Sequence, residues 1–425
     1  MKGSPVRGLK SRVIRTGAVA TTLAAVVAAP PAVAALVGTE AKPAVNAAGS
    51  DGWQPFEVPV QGKANLLSVS TMGHDAAWAG GFTLNEDGPG PQPSGAALPQ
   101  TSGTTMPRRP VAASDDDCYG RDTFISLMMR WDGRDWQQSP IPKVGRVNHV
   151  SASSTNDVWA SADCGLLHWN GRSWTSVPIE AVPGAQQFAA AAVRGVGPEN
   201  AWLTGGTYDS RTEVMRGIVQ RWDGLRWRNV PLPDLGDNFS LDAIDVRGPR
   251  DVWAVGTDYT GGDAQREQLL LLHWNGRGWK RLPEPPTGLW TNRLTSVRMV
   301  AANDVWVSGW GKRTPDGAAI RRPLLLHWNG REWASVKTPE GRGELFDVAV
   351  SGGRALAVGD TFTPSETDYT MYALRRTRTG WRREAVPAAG EGSLFGLAPI
   401  PGGGLWSVGT TGDEEHMRPF IARWG

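Results

Sequence analysis

The sequence predicts an all-β protein: a single seven-bladed β-propeller of four-stranded antiparallel blades over residues 51–425, closed by an N-terminal strand that completes the C-terminal blade. Three observations carry this expectation. A Trp-centred unit repeats with a period of about 50 residues, which is the mark of a wheel or array of like sheets. The chain holds 53 Gly, 31 Pro and 21 Trp, a turn-rich composition that favours many short strands over helices. Its two ends carry complementary fragments of one unit.

Each unit has four stretches. In the fifth copy, Leu294 to Val300 leads through an Asn/Asp turn to Asp304-Val305-Trp306-Val307-Ser308-Gly309. A variable loop follows, then Leu324-Leu325-Leu326-His327-Trp328, the dipeptide Asn329-Gly330, and Glu332-Trp333-Ala334-Ser335-Val336. The Trp of the second stretch recurs as Trp78, Trp159, Trp202, Trp253, Trp306 and Trp406, with Leu356 standing in once. That of the third recurs as Trp131, Trp169, Trp222, Trp274, Trp328 and Trp424, with Thr377 in the sixth place. That of the fourth recurs as Trp136, Trp174, Trp227, Trp279, Trp333 and Trp381. The missing copy lies at the other end: the chain stops at Arg423-Trp424-Gly425, where a turn and fourth strand are due, and Asp51-Gly52-Trp53 running to Val58-Pro59 supplies them. Closing a ring in this way pairs the seam and leaves no raw sheet edge. Asp132-Gly133, Asn170-Gly171, Asp223-Gly224, Asn275-Gly276 and Asn329-Gly330 predict two-residue hairpins with positive φ at both positions.

With Asp251-Val252-Trp253-Ala254-Val255-Gly256 and His273-Trp274-Asn275-Gly276 as its clearest copies, the repeat resembles the Trp-rich propeller repeats of secreted actinobacterial proteins and is loosely similar to kelch-type propellers. The resemblance covers nearly all of residues 51–425. It implies the fold and carries no activity across.

Residues 1–34 predict a secretory signal peptide, with Lys2, Arg7, Lys10, Arg12 and Arg15 ahead of an Ala/Val-rich apolar run. Cleavage is expected after Ala34 or, less favourably, after Ala47, and residues 35–50 form a short linker. Pro30-Pro31 breaks the helix that an uncleaved membrane span of about 20 residues needs, so no membrane insertion is expected once the signal is gone. The net charge of +2 is 44 Lys plus Arg against 42 Asp plus Glu; five of those cations lie in the signal, which leaves 39 against 42, or −3. The basic character belongs to the targeting segment, and nucleic acid is not an expected partner.

Variation in length is confined to one side of the predicted wheel. Tight turns join the first to second and third to fourth strands, while the second-to-third loops carry every long insertion: about 82–123, 207–217, 257–266, 311–322 and 360–370. Loops on a rigid scaffold are where binding usually resides. The candidate ligand residues on that face are Tyr208, Asp209, Tyr259, Asp263, Trp290, Trp310, Arg313, Phe362 and Tyr369, since aromatic faces beside carboxylates and cations suit sugar rings or a protein hot spot. The alternative for the aromatics is that they only cover the ring. Trp310 stands out because Gly206 and Thr257 occupy its place in other units; as a ligand contact it could be lost at about 1 kcal/mol of stability or less, and a large loss would make it core.

Cys118 precedes the third strand of the first blade, and Cys164 lies in the short second-to-third loop of the next, so both project from the same side of adjacent blades. A disulfide pinning the long insertion is expected. His168, His273 and His327 occupy equivalent places in three units and are spread around the ring, which argues for structure rather than a shared metal ion. His149 lies on an innermost strand and faces either the channel or the core. No cofactor is expected; Asp115-Asp116-Asp117 and Asn85-Glu86-Asp87 offer oxygen ligands of the kind Ca²⁺ takes, without the alternating spacing of a calcium loop. Nucleophile elbow, phosphate-cradling Gly loop and His-Glu-x-x-His motifs are absent from the sequence. The expected function is therefore that of a secreted recognition or scaffold module for an extracellular glycan or protein. The alternative is a glycan-active or lactonase-type enzyme with its site over the central channel.

Overall fold

The computed structural model describes residues 52–85, 123–182, 188–209, 212, 214–259, 267–313, 320–339, 341–363, 368–387, 390–413 and 415–425. Among them every helix or strand is a strand, and there are 28. They belong to the compact unit Ser50–Gly425.

β1 (Trp53–Phe56) stands first, and β2–β5 (Ala64–Thr71, Ala77–Leu84, Phe124–Trp131, Trp136–Gln138) form an antiparallel meander in chain order. The pattern returns in β6–β9 (Val147–Ser154, Asp157–Ala162, Gly165–Trp169, Trp174–Val177). β10–β13 (Phe188–Gly195, Ala201–Asp209, Val214–Trp222, Trp227–Asn229) and β14–β17 (Phe239–Gly248, Asp251–Asp258, Gln268–Trp274, Trp279–Arg281) repeat it, joined to each other by one parallel pairing of Arg216 with Phe239. β18–β21 (Thr291–Ala301, Asp304–Lys312, Arg321–Trp328, Trp333–Val336) and β22–β25 (Glu344–Ser351, Arg354–Phe362, Tyr369–Thr377, Gly380–Glu384) follow. The last sheet has three strands from the C-terminal end, β26–β28 (Gly392–Pro399, Leu405–Thr411, Arg418–Trp424), and takes β1 as its fourth. Trp53 lies opposite Trp424 and Phe56 opposite Ile421.

The same local chemistry builds every sheet. Each first-to-second strand pairing slips by one residue at the same place, at Leu66/Ser68, Val147/His149, Ala190/Ala192, Leu241/Ala243, Leu294/Ser296, Leu345/Asp347 and Leu394/Gly396. Opposite this bulge the chain comes so close that a Cβ on Gly81, Gly256, Gly309, Gly359 or Gly409 would lie about 2 Å from a carbonyl oxygen of the first strand. That contact explains why Gly stands three places after the second-strand Trp.

The hairpin dipeptides act differently from the type I′ turns expected. The Asx side chain caps the turn: Asp132 Oδ1 accepts the N–H groups of Arg134 and Asp135, both at 2.9 Å, and Asn170, Asp223, Asn275 and Asn329 repeat the arrangement. Gly133, Gly171, Gly224, Gly276 and Gly330 take the positive φ, from 92° to 96°. Four residues, not two, therefore connect Trp131 to Trp136.

The core lies between sheets. A second-strand Trp of one sheet inserts between the third- and fourth-strand Trp of the next: Trp78 with Trp169 and Trp174, Trp159 with Trp222 and Trp227, Trp202 with Trp274 and Trp279, Trp253 with Trp328 and Trp333, all with ring centroids 5.1 to 5.9 Å apart. Trp406 of the last sheet does the same with Trp131 and Trp136 of the β2–β5 sheet, at 5.2 and 5.3 Å. One apolar cluster there joins Leu66, Leu127 and Met129 to Ile400, Val408 and Ile421.

Truncating one such wedge removes contacts from two sheets. Trp253→Ala is expected to destabilise the fold by about 3 to 5 kcal/mol, read from the midpoint and slope of chemical denaturation. A loss below about 1 kcal/mol would mean that the wedge is not holding the sheets together.

Candidate functional site

The two sides of the molecule differ as the sequence implies. On one side the tight turns pack on each other: the indole N–H of Trp131, Trp169, Trp222, Trp274 and Trp328 donates to a carbonyl of the first-to-second turn in the same sheet (His74, Thr155, Pro198, Pro249 and Ala302) at 2.9 to 3.2 Å. His168, His273 and His327 support the same side. Each stacks on its own second-strand Trp with centroids 4.2 to 4.6 Å apart and hydrogen-bonds Asp157, Asp251 or Asp304. Where no such Asp stands, Arg130 and Arg221 lie over Trp78 and Trp202 instead.

On the other side the strand ladders run further into the predicted loops than expected. Tyr208 and Asp209 end β11, paired with Met215 and Val214; Phe362 and Tyr369 form the last rung of β23 and β24; Trp310 lies inside β19 between Arg293 and Pro323. Trp310 and Phe362 are each 5% exposed, so the expectation of free aromatic faces at these two positions is corrected. Their rings hold the guanidinium of Arg321, at 5.6 and 4.9 Å, and Arg321 pairs with the fully buried Glu344. Desolvating a cation beside its counter-ion is tolerable when aromatic faces replace water, which is what a buried aromatic can do and a sequence cannot reveal.

A neighbouring position repeats the theme. Arg293 lies over the ring of Tyr259 at 5.4 Å, donates to its hydroxyl at 3.1 Å, and is held by Glu267 at 3.0 Å. Burial pushes the Tyr259 phenol up from its ordinary value. Arg146 pairs with Asp163 at 2.8 Å, both nearly buried, and stands over Phe124 at 4.5 Å. Arg146, Arg293 and Glu344 are equivalent residues, each three places before the residue that follows the bulge, so these ion pairs recur where the innermost strands begin. Sequence reasoning missed them. The signal was there in the charged residue that three of the units carry at one fixed place just ahead of the bulge.

Of the other candidates, Trp290 and Tyr369 are half-buried and Arg313 is exposed. Asp263 and Cys118 lie outside the described residues, as do the acidic clusters from Glu86 to Asp117. Cys164 packs on the apolar cluster between β2–β5 and β6–β9 and carries no free thiol. Tyr208 and Asp209 border a cleft of about 710 Å³, which Arg216, Asn229, Asp237 and Phe239 also line. An exposed ion pair, Arg216 to Asp237 at 2.6 Å, crosses it.

Along the innermost strands runs a belt of buried charge. Arg194 pairs with Asp245 at 2.8 Å, and Arg298 with Asp347 at 2.7 Å. His149 lies among them, half-buried with its Nδ1 enclosed; desolvation first, then the charges of Arg298 and Arg194, lower its pKa to about 3. Among the described residues no group of three or more metal-ligating side chains converges, and no helix is long and apolar enough to cross a membrane.

No family model and no curated protein matches the chain. Solved structures do. One of YCF48 from Cyanidioschyzon merolae superposes with a TM-score of 0.51 at 12% identity, over 88% of this chain and 98% of that one. The fold is that of a β-propeller. A structure of YCF48 bound to D1 peptide matches at 13% identity and a TM-score of 0.49, over 88% of this chain and 95% of that one.

Trp310→Ala is expected to cost about 3 to 5 kcal/mol because it opens a cavity beside a buried ion pair; stability within about 1 kcal/mol of the parent would return Trp310 to the candidate ligand contacts. His149 and Asp360 give stability opposite pH slopes. The unfolded chain protonates His149 near 6.5 and the folded one only near 3, so stability held above 6.5 is lost on acidification between those values. Asp360 is raised well above 3.8, by burial and then by the charge of Glu344, so stability held below 3.8 is lost as pH rises through its elevated value. Urea midpoints measured across this range should flatten on the acid limb in His149→Gln and on the opposite limb in Asp360→Asn. Profiles that superimpose on the parent's would remove these groups from the account.

Proposed function

We propose that this chain is an exported, closed seven-bladed propeller that recognises an extracellular protein or carbohydrate through its loop-bearing face without turning it over. Closure is supported by the pairing of β1 with β28 and by the apolar cluster shared between the first and last sheets. Export is supported by the basic, then apolar, N-terminal 34 residues. A Cys118–Cys164 bridge on the loop side accounts for the absence of a free thiol at Cys164. These traits agree with the secreted Trp-rich repeat proteins that the motifs resemble.

The observation that carries the binding reading is the cleft beside Tyr208 and Asp209. Its volume suits a sugar unit or a partner's side chain. Its rim offers an aromatic ring, a carboxylate and a breakable ion pair, Arg216 being 58% and Asp237 82% exposed. A surface pair of this kind contributes at most about 1 kcal/mol to folding, so its groups are available to a ligand at low cost.

The test is capture from culture medium, and binding to a glycan array, by the mature protein and by Tyr208→Ala/Arg216→Ala. A loss of binding of about ten-fold or more with unchanged thermal stability is expected. Full retention by the double variant would rule this cleft out as the site. Intact mass of the secreted protein, alkylated with and without reductant, checks cleavage after Ala34 and the disulfide together. An uncleaved N-terminus or two alkylated cysteines without reductant would overturn those parts.

A further inference from the structure

The β22–β25 sheet departs from the repeat at several places, and the departures share one outcome. In its hairpin β24–β25 the residue opposite Trp381, where other sheets have the third-stretch Trp, is Arg376 and not the Thr377 that the spacing predicts, and Thr377-Arg378-Thr379-Gly380 forms the turn in place of Asx-Gly. Arg375, Arg376, Arg378, Arg382 and Arg383 are all exposed, against a single carboxylate, Glu384, which takes Arg375 at 2.8 Å. The register puts Arg375 opposite Arg382 on one side of the hairpin, and Arg376 and Arg383 on the other. Arg376 lies over the Trp306 ring at 5.1 Å and Arg383 over Tyr372 at 4.8 Å, so two guanidinium groups are held in place before any partner arrives. β25 pairs only with β24 and is therefore an open edge.

We infer that this hairpin docks an acidic polysaccharide along the outer edge of its sheet; the inference rests only on the extracellular part of the proposed function. Cations on both sides of a narrow hairpin, with one more at its tip, fit a flexible chain that carries an anion on every unit. Guanidinium groups bind carboxylates through paired hydrogen bonds, and the exposed Thr379 and half-buried Thr377 offer hydroxyls to neighbouring sugar oxygens. A protein partner is the poorer fit. Stable protein interfaces centre on desolvated apolar anchors, and the exposed residues from Arg375 to Arg383 are arginine, threonine and glycine, with Trp381 and Tyr372 turned inward. Single-stranded nucleic acid is poorer still, because this hairpin exposes no ring on which a base could stack. Charge on the edge strand also guards against edge-to-edge association, a role the test must separate from binding.

The experiment measures binding of the mature protein to polygalacturonate, with dextran, poly-glutamate and duplex DNA as competitors, at low and moderate salt. Binding to polygalacturonate that weakens by about ten-fold or more as salt rises, and falls by a similar factor in Arg378→Gln/Arg382→Gln/Arg383→Gln, supports the inference. Thermal stability and the capture properties of the loop-face cleft should be unchanged in that triple variant. No binding by the folded parent overturns the inference, as does equal or tighter binding to poly-glutamate or DNA. A triple variant that self-associates yet keeps its affinity for polygalacturonate would assign the arginines to edge protection alone. Because the loop-face variant Tyr208→Ala/Arg216→Ala leaves this hairpin intact, loss of polygalacturonate binding there instead would also overturn it, and failure of the loop-face reading leaves the assay unaffected.

Discussion

What holds this molecule together is a tryptophan of one sheet wedged between two tryptophans of the next. The wedge meets the fourth-strand ring nearly edge-on, at interplanar angles of 81° to 89° wherever all three rings are present. Such geometry suits the ring quadrupole and contributes about 0.5 to 1.5 kcal/mol beyond area burial. Its larger effect is geometric. A flat apolar face could slide over its neighbour, whereas a ring set between two others fixes both the spacing and the stagger of successive sheets.

The wedge leaves a second problem at the inner edge. Apart from the single β12–β14 pairing at Arg216 and Phe239, the first strand of each sheet has no further strand beside it, and outward N–H groups left unsatisfied there would cost about 1 to 3 kcal/mol apiece. Side chains of the preceding sheet answer it. Ser68 and Ser70 accept from Val150 and Ala152, Ser151 from Gly195, Asp245 from Met299 and Asp347 from Leu397, at 2.7 to 3.0 Å. Once Asp245 and Asp347 do this work buried, Arg194 and Arg298 are needed to neutralise them. The charged belt is thus a consequence of capping inner edges. The recurrent bulge turns these side chains toward the neighbouring sheet, and the glycine opposite makes the bulge possible.

Period, strand order, the pairing of Trp53 with Trp424 and the distinction between a tight-turn side and a loop side were all legible in the sequence, because each depends on residues that repeat. The site was much less so. Tyr208 and Asp209 do border a cleft, but Trp310, chosen because it interrupts the repeat, and Phe362, chosen as an aromatic in a long loop, are buried against Arg321. A residue that breaks a pattern can answer another broken position elsewhere, here Arg321 in β20 and Glu344 in β22, and a one-dimensional reading cannot tell that answer from a ligand contact. The Asx turns show the same limit on a smaller scale: the dipeptide was identified and its hydrogen bonding was not, since the side-chain cap depends on two residues beyond it.

The sheet that has drifted furthest from the repeat shows how much of the wedge is replaceable. Leu356 takes the place of the inserted Trp, and the neighbouring Trp424 then packs with Val358, Met371, Val386 and Phe420, with Trp53 beside them. The lost ring is replaced by several smaller apolar groups from three strands. At the opposite interface Trp306 keeps Trp381 at 5.5 Å but meets Arg376 where a third ring would sit. A guanidinium can fill that place because its plane lies on an indole face and its donors still reach water. The substitution therefore preserves packing while it moves positive charge to the perimeter, and once one arginine is anchored in this way further ones on the same hairpin cost the fold little. Relaxed constraint on a single wedge is thus enough to give one sheet a surface that the others lack.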